Sequence, residues 1–161
     1  EHFTMTHLKL FTVAIALTLG GISTTASAQS HELKVGNLVV THPWSRQSPR
    51  AANVAAGFFS VTNNGKEDDR LVKATAAITP VVQLHDMKME GEVMKMVEVP
   101  GGIPIPAGAT VDLKPGSLHV MFMGLKQPMM VGEEIKGTLV FEEAGTVEVE
   151  FEVLNPDAGM N

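Results

Sequence analysis

Apolar positions along this chain gather in short runs, several of them alternating with polar residues, and no long helical pattern intervenes. Residues 134–142 and 146–154 alternate strictly enough to predict two half-buried strands joined by Glu143-Ala144-Gly145. Residues 33–41 are β-rich and lead into His42-Pro43-Trp44, and 56–62 reads as a buried strand closed by the turn signal Asn63-Asn64-Gly65. Residues 71–77 and 80–89 are further strand candidates. Between them, 47–53 is a polar, Pro-containing connection and 66–69 a solvated loop. Lys114-Pro115-Gly116 suits a type II turn, with Pro second and Gly third. Pro104 and Pro106 place 103–106 at an edge or in a connection, since Pro cannot donate to a central ladder. Short strands with turn signals at roughly 8–12-residue spacing predict a single all-β domain, an antiparallel sandwich or barrel.

The first 28 residues read differently. Met5 is the expected start, and residues 1–4 have no reading. Residues 10–22 are apolar apart from Thr and Gly, a run shorter than the ~20 residues a membrane span needs. Ala26-Ser27-Ala28 follows as a signal-peptidase pattern. The expected organisation is therefore a signal peptide over 1–28 cut before Gln29, a folded domain over 29–154, and a loose tail over 155–161. A cut after Ser30 would instead make His31 the N-terminal residue, whose amine and imidazole could chelate copper.

Charge narrows the partners. The net charge of −6 argues against nucleic acid, which needs basic surface, and no Lys/Arg run points to an anionic membrane. The signal peptide takes with it one acid, Glu1, and one base, Lys9, so the exported chain keeps that charge. There is no Cys, which excludes disulfides, thiol redox chemistry, Cys-based zinc sites and the thiolate of blue-copper centres. No Ser/His/Asp arrangement, phosphate loop or carboxylate pair reads as catalytic, so a binding protein is expected rather than an enzyme. His42 is expected to be structural, Trp44 to pack at a sandwich edge, and Asp68-Asp69-Arg70 to form a solvated turn, with Arg70 free to meet a carboxylate.

The informative feature is methionine. Eight of the ten Met lie between Met87 and Met130, and His85 and His119 fall in or beside that window. A hairpin turning on Glu90-Gly91 would pair Met89 with Glu92, Met87 with Met94, and His85 with Met96. Directly opposed side chains share a face, with Cβ atoms about 4.5–5.5 Å apart. Further on, His119, Met121 and Met123 share one strand face, while Leu118, Val120 and Phe122 offer better core on the other. Val93, Val97 and Val99 are expected to do the same for the hairpin. Met is often simply core filler, and a Met-rich core in a plain interaction module would explain the same residues. The sharing of faces with His favours a metal site. Thioethers are soft and neutral and suit Cu(I); zinc, calcium and magnesium prefer other donors.

At these residues the chain resembles the periplasmic CuA copper chaperone family, PCu(A)C. That family's pattern is a His, about ten residues, a Met, about twenty residues, then His-x-Met. The matching residues are His85, Met96, His119 and Met121, with Met87 as a secondary ligand. The 22 residues between Met96 and His119 are one more than the pattern, an excess easily absorbed in the Gly/Pro-rich stretch 100–108. His42-Pro43-Trp44-Ser45-Arg46, Ala55-Ala56-Gly57-Phe58, Asn63-Asn64-Gly65 and His119-Val120-Met121-Phe122-Met123-Gly124-Leu125 extend the resemblance over 31–153. It implies a cupredoxin-like β-sandwich that carries one Cu(I) in the periplasm, and the chain is expected to be a monomer. The recipient it implies is the CuA domain of a cytochrome c oxidase subunit or a thiol-bearing assembly factor. Met123, Met129 and Met130 are candidate contacts for that recipient. A copper store that never transfers its ion, and an oxidative copper enzyme built on an N-terminal His31, remain as alternatives.

Overall fold

A computed structural model describes residues 32–159; the stretch read as a signal peptide, both candidate cleavage positions, His31 and Met160 lie outside the described residues. The described chain is all β: β1 (Glu32–Val35), β2 (Leu38–Arg46), β3 (Val54–Asn63), β4 (Asp69–Ala76), β5 (Val81–Glu90), β6 (Val93–Glu98), β7 (Ile103–Ile105), β8 (Thr110–Leu113), β9 (His119–Met123), β10 (Glu134–Phe141) and β11 (Gly145–Leu154). The sheet runs β6-β5-β9-β3-β2-β11-β10-β4-β7, with β1 added to β2 and β8 to β3. It folds over on itself, so β4 and β5, far apart in that order, touch. Phe59, Phe122 and Phe151 meet in the core between the layers, with Phe122 edge-on to Phe151 at 5.3 Å. Gly57 makes room for them: a Cβ there would stand 2.8 Å from Phe122 and 3.0 Å from Phe151.

The cupredoxin-like sandwich stands, with one amendment to its strand directions. β11 runs parallel to β2, pairing Glu152–Leu154 with Trp44–Arg46, so the sheet is mixed rather than purely antiparallel. The expected first strand is two, because Gly36-Asn37 turns the chain and pairs Val35 with Leu38. The Pro104 segment is the edge strand β7, with Pro104 opposite Arg70.

Two loop expectations are corrected. Asp69 is buried, not solvated: its carboxylate accepts from the backbone N–H groups of Arg70, Glu143 and Ala144 and so ties β4 to the β10–β11 turn. Arg70 does face a carboxylate, Glu142, at 3.8 Å. Nor is the tail loose as far as it is described. Arg46 Nε donates to the Ala158 carbonyl at 2.8 Å, and Gly159 packs on the Trp44 ring.

Candidate metal centre

The strands that carry the candidate ligands, β6, β5 and β9, lie side by side at one end of the sheet, with β3 beyond β9. Their registers set out a ladder of side chains on one face. One rung holds His119 opposite His85, with Glu98 beyond on β6. The next rung in one direction holds Ala56, Met121 and Gln83; the one after it holds Val54, Met123 and Val81. In the other direction come Met87 opposite Met96, then Met89 opposite Met94.

The hairpin register is thus not the expected one. Glu90 pairs with Val93, so the turn residues are Gly91 and Glu92, and His85 faces Glu98 instead of Met96. The cause is local. Gly91 takes φ +65° while Glu92 does not share the positive region, and Gly in the first central position is the II′ arrangement. Expecting Gly in the second position misplaced the ladder by two residues. A shift of two preserves the face, so His85 and Met96 still project to the same side, as diagonal neighbours.

The two histidines are the buried middle of this ladder, 4% exposed at His119 and 9% at His85. Their rings meet edge to face with centroids 5.6 Å apart. Phe58, buried on this face, stands 6.4 Å from His119 and lies tilted against Trp44 at 4.7 Å, giving the pair an apolar wall. Each ring is held by a group two residues upstream: the Gln83 side chain, which alternation along β5 brings to the face of His85, and for His119 the backbone carbonyl of Ser117 in the turn before β9. His119 Nδ1 donates to the Ser117 carbonyl at 2.8 Å, since a carbonyl can only accept, and that leaves Nε2 as a bare lone pair. His85 Nε2 pairs with Gln83 Oε1 at 2.9 Å, which leaves the lone pair on Nδ1. Both remaining nitrogens, His85 Nδ1 and His119 Nε2, are buried without a hydrogen-bond partner. Burying an acceptor unpaired costs about 1–3 kcal/mol, so two on touching rings call for a cation or a donor. Burial, and next the neighbouring His119, hold the His85 pKa below its ordinary value of 6.5 against the opposing pull of Glu98. The ring is thus kept in the form that can bind a metal.

The sulfurs flank this pair. Met121 stands one rung to one side, half-buried; Met87 and Met96 stand one rung to the other, half-buried and 46% exposed respectively. Among the described residues no group of three His, Asp or Glu is placed to hold an ion, so a centre here needs sulfur to complete it. Two expectations about neighbours fail. Val93 is exposed rather than core, because the hairpin reaches past the opposing layer, and Met129 is fully buried and cannot meet a partner. Met130 is exposed and Met123 half-buried. His42 sits apart, at a bulge with φ +50°, in a shallow acidic cleft with Glu134, Glu150 and Glu152. Gln83, Phe58 and the Ser117 carbonyl went unnoticed in the sequence; the signal for the first and last was their place two residues before each His.

Comparison with known proteins gives the family and the fold. The family profile described as "Putative lipoprotein LpqE-like" matches residues 38–153. A "Putative lipoprotein" of Leifsonia xyli subsp. xyli is 32% identical over 148 residues, covering 89% of this chain and 88% of its own. An uncharacterized protein of Rickettsia prowazekii is 27% identical over 135 residues, covering 81% and 75%. Among solved structures, the copper-bound PCuAC domain of PmoF2 superposes with a TM-score of 0.67 at 29% identity, over 78% of this chain and 99% of that one. The Cu(I) form of DR1885 from Deinococcus radiodurans gives 0.58 at 28% identity, over 86% and 89%.

Proposed function

We propose that this chain, which belongs to the LpqE-like family and has the PCuAC fold, binds one Cu(I) between His85 and His119 and hands it to a thiolate acceptor. The observation that carries the reading is the pair of buried imidazoles, each oriented by its second nitrogen and each with an orphaned lone pair. Metal-binding His residues are held in this way, one nitrogen fixed by a carbonyl and the other offered to the ion. Met121 supplies a third donor from its rung beside the pair, and the Met87/Met96 rung supplies the fourth. Met96 is the ligand suggested by the spacing, and Met87, directly opposite it, the secondary one. Two neutral imidazoles and two thioethers leave the ion its +1 charge, and the soft sulfurs select Cu(I) over zinc. With both imidazoles and both thioethers engaged as donors to the ion, the set leaves no free group for acid–base or nucleophilic work, and the reading is binding and transfer.

Release follows from the same donors. A thiolate is softer than a thioether and carries a charge, so it outcompetes this site. The recipient we propose is therefore Cys-containing: the CuA domain of a cytochrome c oxidase subunit or its assembly factor, met in the periplasm after export. The exposed Met96 rung lets an incoming sulfur replace one donor while the buried histidines still hold the ion. Anaerobic competition with a chromogenic Cu(I) chelator tests the site. His119→Ala and Met121→Leu should each weaken binding without unfolding the chain, and unchanged affinity in both would refute the ligand set. Mixing the Cu(I) protein with an apo CuA domain tests delivery; copper retained against excess thiolate would favour storage.

A further inference from the structure

Beyond the His pair the ladder continues into sulfur that no central site uses. Met89 and Met94 are directly opposed and 61% and 48% exposed. Core packing therefore does not account for them, since about half of each still faces water. They share their face with Met87 and Met96, one rung inward, so the hairpin carries a block of four thioethers. Opposed members are about 4.5–5.5 Å apart at Cβ. Successive rungs are about 6.8 Å apart along the strand, two residues at about 3.4 Å each. The other face of the same hairpin is charged, with Lys88 opposite Lys95 and an ion pair between Lys95 and Glu90. Sulfur is thus segregated on the side that leads to His85.

We propose that Met89 and Met94, with Met87 as a third thioether, form an outer soft-metal site at the hairpin end, through which Cu(I) enters and leaves the His85/His119 centre. The inference rests on the Cu(I) reading of that centre. Met side chains have three rotatable bonds and reach an ion held one rung away. Each step exchanges one neutral sulfur for another or for an imidazole nitrogen. The ion stays Cu(I) throughout, with no electron transferred and no proton moved. Met87 and Met96 are the shared rung: when the inner site is full Met96 is its donor and Met87 is left to the outer site, and when it is empty the two bridge the sites. Lone thioethers hold the ion less firmly than the imidazole pair, so the outer site fills second and empties first.

The experiment is an anaerobic titration of the full chain with Cu(I), supplied as its acetonitrile complex. It is followed by native mass spectrometry and by NMR of 13C-labelled Met methyl groups. The first equivalent should move Met121 and the Met87/Met96 signals. The second should move Met89 and Met94, with two ions bound. Met89→Leu/Met94→Leu keeps the bulk of exposed side chains; it should bind one ion with the parent's inner-site affinity and load more slowly. If the parent binds a single ion and the Met89 and Met94 methyls stay still, the outer site is refuted and the inner one stands. If no ion binds at all, both fall. If the second ion binds but the double variant loads as fast as the parent, the passage role is refuted.

Discussion

At the scale of single residues, the site is set by what each imidazole does with its second nitrogen. Gln83 and the Ser117 carbonyl fix the rings, and that detail decides which nitrogen is available. Gln83→Leu removes the His85 partner and should lower Cu(I) affinity by about 10–100-fold, the usual effect of losing an orienting group. Chelator competition measures it, and an unchanged constant would mean that packing alone holds the ring. Proton competition is set by the same burial. In the unfolded chain His85 takes up a proton near pH 6.5, while in the fold its pKa lies lower, held down first by burial and then by His119. The unfolded chain thus binds more protons in that interval. The stability contributed by neutral His85 is complete above about pH 6.5 and is lost as pH falls from there toward the folded value. An NMR titration of the apo His85 ring should show a midpoint below 6.5; a midpoint above it would mean that the Glu98 carboxylate dominates. The four residues that spacing and resemblance named were visible in the sequence as candidates because His and Met are chemically distinctive, and the registers set them on neighbouring rungs of one face. Gln83 and Phe58 were not, since an amide and a ring acquire a role only once β5, β9 and β3 are known to be adjacent.

At the scale of elements, alternation revealed most of the strands, and turn chemistry decided their register. Asn63 shows how a turn signal works: its Oδ1 accepts from Gly65 N–H at 2.9 Å while its Nδ2 donates to the Glu67 and Ile105 carbonyls. The β5–β6 hairpin shows the limit. Glu90-Gly91-Glu92 permits Gly at either central position, and only the structure distinguishes the two registers, because both put Met on one face. Pattern also overstated the core, since Val93 alternates correctly yet lies beyond the layer that would cover it. Gly91 takes φ +65° with open space around it, so Gly91→Ala meets backbone strain and no clash. The expected loss is about 1 kcal/mol, confined to the hairpin. Hydrogen exchange should quicken at the β6 amides and stay unchanged in β10 and β11. Faster exchange throughout would mean that the hairpin is coupled to global stability.

At the scale of the whole molecule, one layer serves two purposes: its inner face packs Phe122 and Val120 into the core, and its outer face presents His119 and Met121. The strand order that sets β4 and β5 at opposite ends of the sheet was not legible in the sequence, because it depends on long-range pairings such as β11 with β2 that no local pattern records. The arrangement sets binding against stability. The apo protein buries two unpaired acceptors, each a penalty of about 1–3 kcal/mol, and an ion bound there removes that penalty. Cu(I) in excess should therefore raise the melting temperature, with about 2.7 kcal/mol of added stability when free ion is 100 times the dissociation constant. His119→Phe separates the two contributions. Its ring fills the space beside Phe58 without an unpaired nitrogen, and the freed Ser117 carbonyl is only half-buried, within reach of water. Apo His119→Phe should then melt no lower than the parent while losing most of the Cu(I)-induced rise, as calorimetry of both proteins with and without the ion would show. A variant that melts well below the parent would mean that the His119–Ser117 hydrogen bond stabilises the fold by more than the buried lone pair costs it. The imidazole would then belong to the architecture of the sheet as much as to the metal centre.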